Sequence, residues 1–394
     1  MSDVRRMPRG TPGLLRSIND RSTLSVLIEH GPLTRARICD LTGLSKPTVS
    51  QVVARLEDAQ LVEPAGAVAM TRGPAAVLYA VRRDRVRGVA VDVRPHRALA
   101  TVVDIAGTEY PVADLALGTS ADGRSAVGDV RAACEAACEA AGVSLSGVMT
   151  VVVGVQGAVD PEVDRLAFLA ALPGWQLDAA HATLREGIGA PTVLENDVNL
   201  AAGAERYEGR MCEADDFALL WLGDGIGVAA QLGDELRRGA RGGAGEIGYL
   251  PVPLGAELLD PRARDLQDLL GGRAVAEIAR RHGGRGEGLE DLLASVAGTA
   301  GWPAMLAELA DRIAAGVLPV LAVLDPEVLV LGGPVGLAGG DQLAELVEAR
   351  VWAGSRWRTT VAATSVAARP VLRGARRAAI AALRETLLDA VGDR

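Results

Sequence analysis

The sequence predicts an α/β protein in two parts: a small helix-rich head over residues 1–85 and a large two-lobed α/β domain over residues 86–394. Three observations carry this. From Arg87 onward, apolar runs of strand length ("GVAVDV", "ALATVVD", "VMTVVVGVQG") surround a helical pattern, "AVGDVRAACEAACEAAG". The strand, Gly-rich turn, strand opening reappears at "FALLWLGDGIGVAAQLGDEL", which predicts a second half of similar topology and a ligand-sized cleft between the halves. Ahead of both halves, two short helical patterns separated by a glycine occupy residues 33–59, in a stretch whose charge is opposite to that of the rest.

The chain has 394 residues, 49% of them hydrophobic, enough for two or three globular domains with buried cores. The first residues, "MSDVRRMPRG", are basic but have no apolar run behind them, and no apolar stretch approaches the ~20 residues of a membrane span, so a cytoplasmic protein without membrane contact is expected. Of the four cysteines only Cys134 and Cys138 are close, one helical turn apart. With no His or further Cys pair beside them, they read as small buried side chains rather than as a metal site or disulfide. The formal net charge is −9, yet residues 1–87 hold 14 Lys plus Arg against 8 Asp plus Glu. Because charges are screened over about 8 Å at physiological salt, that local excess can attract phosphates despite the acidic average.

Residues 12–30 carry Leu15, Ile18, Leu24, Leu27 and Ile28 at helical spacing and stop at Gly31-Pro32. "LTRARICDLTG" follows as a short helix with Ile38 and Leu41 facing a core and Gly43 free to take the left-handed turn. Ser45 is an N-cap, Pro47 is tolerated in a first turn, and the next helix runs to about Ala59. Its apolar stripe is Val49, Val52, Val53 and Leu56, which leaves Lys46, Thr48, Ser50, Gln51 and Arg55 on the other faces. This is helix-turn-helix geometry, in which the start of the second helix enters the DNA major groove. Gln51 and Arg55 suit base edges, while Ser45, Lys46, Thr48 and Ser50 suit phosphates or bases. "LVEPAG" and "AVLYAV" read as the strands of a wing whose tip offers Arg72 to the backbone or the minor groove, or leaves it in a solvent loop.

In order along the chain, the helical head, "LPGW", "ENDVNLAA", "GDGIG", "RGGAGEIGY" and "LDPEVLVLGG" closely resemble ROK-family regulators, a group that joins repressors and sugar kinases. The resemblance covers nearly the whole chain. It implies a winged helix-turn-helix followed by an actin-like, sugar-kinase-like two-lobed domain. It also implies that Asn196 and Asp197 bind sugar hydroxyls, with Asp197 at the position of the kinases' catalytic base, and that Glu246 adds another acceptor. An amide offers donor and acceptor, and a carboxylate accepts hydroxyl protons, so the chemistry is consistent. Asp197 also fits an N-cap of the following helix, a role compatible with ligand contact.

The departures from the family pattern bear on activity. Where the kinases have a Gly-rich phosphate turn after the first strand, this chain has Asp92-Val93-Arg94-Pro95-His96, with no glycine and a proline that lacks an N–H. "GDGIG" carries Asp224 where the kinases usually have Thr, placing a carboxylate near the phosphates. Tyr249 stands where the family has a zinc-binding His, and "PVPLGAELLDPRARDLQDLLGG" has no Cys, so no metal is expected. Gln267 occupies the place of a sugar-binding Glu, and Ala171 that of an Asn before "LPGW". Tyr249 and Gln267 either recognise an altered sugar or fill the space of the lost zinc loop.

The sequence therefore predicts a transcriptional regulator, a repressor, that binds operator double-stranded DNA as a homodimer or homotetramer. Its ligand is a carbohydrate or related metabolite, and neither cofactor nor kinase activity is expected. A sugar kinase with a DNA-binding appendage and a ligand-independent DNA-binding protein are the competing readings.

Overall fold

The computed structural model describes residues 12–69, 75–83, 86–118, 120, 123–167, 172–175, 178–233 and 235–392. Arg72 at the wing tip and Ala171 lie outside the described residues. The head comprises α1 (Pro12–His30), β1 (Leu33–Thr34), α2 (Arg35–Thr42), α3 (Lys46–Asp58), β2 (Val62–Val68) and β3 (Ala76–Val81). The turn between α2 and α3 is made by Gly43 at φ 71°, a left-handed conformation that costs other residues energy. Thr34 caps α2 by accepting from the Arg37 N–H, and Ser45 caps α3 by accepting from the Thr48 N–H. The predicted stripe of Val49, Val52, Val53 and Leu56 is buried with Leu24, Leu27 and Ile38. The wing is a three-stranded antiparallel sheet in the order β1-β3-β2, because Leu33 and Thr34 pair with Tyr79 and Leu78. This small first strand was not legible in the sequence. Leu15 and Ile18 differ from expectation: they are 57% and 48% exposed, on the turns of α1 that precede its buried Leu24 and Leu27.

The first lobe comprises β4 (Arg87–Arg94), β5 (Arg97–Asp104), β6 (Val112–Ala116), α4 (Ala126–Ala141), β7 (Val148–Val155), β8 (Ala158–Asp160), β9 (Arg165–Ala167), α5 (Ala180–Ile188), β10 (Thr192–Asn196) and α6 (Asp197–Glu208). The second comprises β11 (Asp216–Leu222), β12 (Ile226–Leu232), β13 (Glu235–Leu236), α7 (Leu266–Leu270), α8 (Gly272–Arg281), α9 (Leu289–Val296), α10 (Trp302–Leu324), β14 (Val328–Gly332), α11 (Gly333–Gly354) and β15 (Thr360–Ala363). The sheets run β10-β7-β4-β5-β6 and β13-β12-β11-β14-β15. In each, an antiparallel hairpin (β4–β5, β11–β12) is extended by two parallel strands on the side of its first member. The internal echo in the sequence is thus a real repeat of topology.

A final helix, α12 (Pro370–Gly392), returns to the first lobe. Period-two alternation along β4 divides its side chains between two cores. Val89, Val91 and Val93 join Val130, Ala133 and Cys134 of α4, while Ala90 joins Leu372, Ala375 and Ala379 of α12. Cys134 and Cys138 are free thiols buried in the first of these cores, and burial pushes Cys134 up to about 12. This helix packs on the first lobe. It also reaches the head: Leu383 and Leu387 share a buried cluster with Leu24 and Leu27 of α1, and Arg21 Nη1 donates to Asp389 Oδ1 at 3.2 Å. Gly374 brings α12 against α6 so closely that a Cβ there would lie 1.8 Å from the Leu200 carbonyl oxygen.

Candidate functional sites: a recognition helix and an interlobe cleft

On α3, Ser45, Lys46, Ser50 and Gln51 are exposed and Thr48 is half-buried. Ser45 and Thr48 hydroxyls lie 2.8 Å apart as part of the cap, so their first task is to start the helix. The α2 N-terminus adds exposed Arg37, and Arg35 lies with its guanidinium 4.9 Å from the centre of the Tyr79 ring. Sequence reasoning missed both, although "TRAR" directly after the Gly31-Pro32 break was the signal.

Arg55 requires a correction. Its guanidinium does not extend from the α3 face. Nε donates to Asp20 Oδ2 at 3.1 Å, and Nη2 donates to Oδ1 of the same carboxylate. The Asp20 side chain is only 12% exposed, so without Arg55 it is an almost buried, unpaired acid on α1. The pairing clamps α3 to α1 and takes Arg55 out of base reading. Arg55→Ala is expected to destabilise the protein by about 1–3 kcal/mol, moderated because the guanidinium is 39% exposed. Unfolding in denaturant checks this. Unchanged stability with altered base preference would restore Arg55 to the groove.

The other site lies between the lobes. A cavity of about 290 Å³ is lined by all five residues expected at the ligand: Asn196, Asp197, Glu246, Tyr249 and Gln267. They come from β10, the start of α6, the loop after β13, and α7. The N-cap of α6 is Asn196 rather than Asp197. Asn196 Oδ1 accepts from the N–H groups of Val198 and Asn199, and its Nδ2 donates to the Gly157 carbonyl. One amide hydrogen is left for a ligand. Asp197 Oδ1 accepts from the Val198 N–H at 2.9 Å. Burial, then the neighbouring Asp92 and Glu246 carboxylates, push its pKa up to about 7.

That shift has a sign. Between the ordinary value of 3.8 and about 7, folded Asp197 keeps a proton that the unfolded chain has lost, so stability falls as pH rises through this range. The slope is at most about 1.4 kcal/mol per pH unit. Asp197→Asn is expected to flatten it. Parallel losses of thermal stability in wild type and variant between pH 5 and 7 would contradict the assignment.

Glu246 follows Gly245, which is at φ 89° where a Cβ would lie 1.7 Å from the Val228 carbonyl oxygen, so the loop approaches β12 only with glycine. Burial raises the Glu246 pKa, and among the described residues no hydrogen-bond donor reaches its carboxylate. Tyr249 stands at the rim, 61% exposed. Gln267 lines the cavity with its amide already engaged. Its Oε1 accepts from the Ile226 N–H at 3.1 Å and its Nε2 donates to the Asp224 carbonyl at 2.8 Å, so the amide also clamps the "GDGIG" turn. A Glu there would set a carboxylate against that carbonyl, which gives the Gln a physical reason.

The phosphate side is rebuilt as well. β4 and β5 pair up to Arg94 and Arg97, leaving Pro95 and His96 as a two-residue turn in place of a Gly-rich loop. Arg94 folds back on buried Asp92, its Nε and Nη2 donating to Oδ2 at 3.1 and 3.0 Å. Arg124 holds the turn from behind through the Pro95 carbonyl and is itself held by Asp129, which also accepts from Trp175 Nε1 of "LPGW" at 2.8 Å. The turn offers no glycine, and Pro95 has no N–H for a phosphate oxygen. Among the described residues there is no group of three or more His, Cys, Asp or Glu that could hold a metal ion. Buried Arg312 ties the 249–272 segment, donating to the carbonyls of Leu259 and Leu269 and to Asp260. Gln156 and Trp221, which also line the cavity, were missed from sequence because the runs that hold them, "VMTVVVGVQG" and "FALLWLGDGIGVAAQLGDEL", read only as strand and turn.

The chain thus joins a winged head with an exposed α3 face to two sheets of repeated topology around a polar cleft. Residues 129–380 match the ROK family and residues 16–68 the MarR family. The chain belongs to the ROK family. It is 24% identical over 243 residues to a putative xylose repressor of Caldicellulosiruptor sp. (62% of this chain, 61% of that one). It is 35% identical over 161 residues to the bifunctional enzyme NanE/NanK of Brucella melitensis (40% of this chain, 30% of that enzyme). It is 21% identical over 387 residues to the xylose repressor of Caldicellulosiruptor bescii (93% and 96%). The first two matches therefore span less than two thirds of those proteins. Among solved structures, a ROK family transcriptional regulator homologous to the E. coli MLC protein superposes with a TM-score of 0.73 at 17% identity (96% of this chain, 99% of that one). A ROK glucokinase from Streptomyces griseus in complex with glucose and AMPPNP gives 0.61 at 26% (74% and 98%). The family relatives thus include both repressors and kinases. No described helix is long and apolar enough to cross a membrane.

Proposed function

We propose that this protein is a sugar-responsive transcriptional repressor that binds operator DNA as a homodimer or homotetramer in the cytoplasm and does not phosphorylate its ligand. The observation that carries the reading is the asymmetry of the cleft. The sugar wall keeps Asn196, Asp197 and Glu246, whereas the phosphate wall carries the Asp92–Arg94 pair and the Pro95 turn in place of a Gly-rich loop. Lys46, Ser50 and Gln51 on α3 then read the groove, with Ser45 and Thr48 at the helix start available to phosphates.

Helix α12 supplies a route between the two sites. Arg369, Pro370 and Val371 at its start border the cleft, and Asp389 near its end contacts Arg21 of the head. Sugar changes operator affinity only if it binds the two arrangements of the lobes unequally. One winged helix reads one half-site, so two-fold pairing is required for a palindromic operator.

The test has two arms. Full-length protein is incubated with ATP, Mg²⁺ and a panel of hexoses and pentoses, and its affinity for a duplex selected from a random pool is measured with and without each sugar. Sugar-dependent DNA affinity without sugar phosphate formation is expected. Asp197-dependent sugar phosphate would establish a kinase instead, and operator binding indifferent to every sugar would favour a ligand-independent regulator.

A further inference from the structure

A second cavity, of about 630 Å³, adjoins the sugar cavity and shares Gln156, Asp197, Trp221 and Asp224 with it. It occupies the side of the cleft bordered by the Pro95 turn. Its polar lining is already largely neutralised. Three arginines line it, Arg94 paired with Asp92, Arg97 paired with Asp114 and within the field of Glu290, and Arg369, against the carboxylates Asp92, Asp197, Asp224 and Glu290. A phosphate dianion entering here meets at least as many carboxylates as guanidinium groups, so its desolvation in the cleft is not offset by an excess of positive charge. An uncharged group meets no such cost. The far wall, Leu293, Ala294, Leu337 and Ala338, offers apolar surface.

The junction between the cavities is polar and uncommitted. Among the described residues the Gln156 amide and the Trp221 indole N–H have no hydrogen-bond partner, and both line both cavities beside Asp197. An indole presents a ring for the apolar face of a pyranose and one N–H for an oxygen, and an amide presents donor and acceptor.

Resting on the sugar-responsive reading above, we propose that the second cavity is a subsite for an uncharged glycosidic substituent. The effector is then a glycoside, a disaccharide or aryl glycoside, rather than a free monosaccharide. One sugar unit occupies the inner cavity at Asn196, Asp197 and Glu246. The linkage oxygen crosses the junction at Gln156 and Trp221, and the second unit lies on the apolar wall.

Calorimetry on the full-length protein tests this with glucose, xylose and galactose, their disaccharides cellobiose, xylobiose and lactose, the corresponding p-nitrophenyl glycosides, and glucose 6-phosphate. The expected result is one glycoside binding at least about tenfold more tightly than its parent monosaccharide, about 1.4 kcal/mol. Ala338→Trp and Ala294→Trp, both at exposed positions of the second cavity, should erase that advantage and leave monosaccharide affinity within about twofold. The disaccharide and aryl arms distinguish which substituent is taken. Monosaccharide binding as tightly as every glycoside, tightest binding of the phosphosugar, or indifference of the glycoside advantage to both Trp variants would overturn the subsite while leaving a sugar-responsive repressor. Silence from every sugar would overturn that reading too.

Discussion

Glu246→Ala is expected to weaken sugar binding in the cleft by roughly 10–100-fold, the loss of a charge-assisted hydrogen bond of about 1.5–3 kcal/mol. The affinity of the sugar-free protein for operator should stay within about twofold. The expectation follows from what the carboxylate lacks. Asn196 spends three of its four hydrogen-bonding positions on the α6 cap and Gly157, and Gln267 serves the Asp224–Ile226 turn, whereas Glu246 has no donor within the described chain. A partly buried carboxylate in that condition is costly unless a ligand hydroxyl satisfies it. Removing it costs the fold little and the ligand much. Calorimetry of wild type and variant with the same sugar reads the loss. Equal affinities would mean that the ligand does not reach this wall.

The second large effect is at α3. Gln51→Ala is expected to lower operator affinity by about 1–3 kcal/mol and to relax selection at the base pair it reads, since a bidentate amide contact carries discrimination of that size. Lys46→Ala should behave differently. Losing one phosphate contact weakens binding to all sequences and reduces the slope of log affinity against log salt by about 1 per recognition helix. The structure separates these residues from Arg55, whose guanidinium is committed to Asp20. Fluorescence anisotropy over a salt series, on the selected duplex and on single-base variants of it, distinguishes the two behaviours. A Gln51 variant that loses affinity equally on every duplex, with a shallower salt slope, would show that Gln51 contacts backbone rather than a base.

Where the sequence was informative, a local rule met no competition. Gly43 and Ser45 mark the turn and the cap because few residues satisfy left-handed φ or an N-terminal N–H, and the valine stripe of α3 follows from helical period alone. The repeat of strand, turn and strand was visible because both hairpins carry the same burial demand. What was hidden depended on distance in the chain. The exposed α3 pattern offers Arg55 to DNA as readily as Gln51, and only the fold brings Asp20 within reach across 35 positions. Gln267 looked like a softened sugar ligand until the "GDGIG" turn, 41 residues earlier in the chain, appeared against its amide. Gln156 and Trp221 fall in runs that read only as strands, and they acquire meaning from the two cavities they divide. The α12 contact with α1 joins the last helix to the first and had no sequence signal beyond the amphipathic character of each.

The most direct measurement is operator anisotropy of the full-length protein in nucleotide-free buffer, titrated with the tightest-binding sugar found by calorimetry. A sugar-driven shift in operator affinity of tenfold or more, about 1.4 kcal/mol, that is lost in Glu246→Ala is the expected result. An operator affinity that responds only when ATP is added and sugar phosphate forms would contradict a cleft that signals by binding alone.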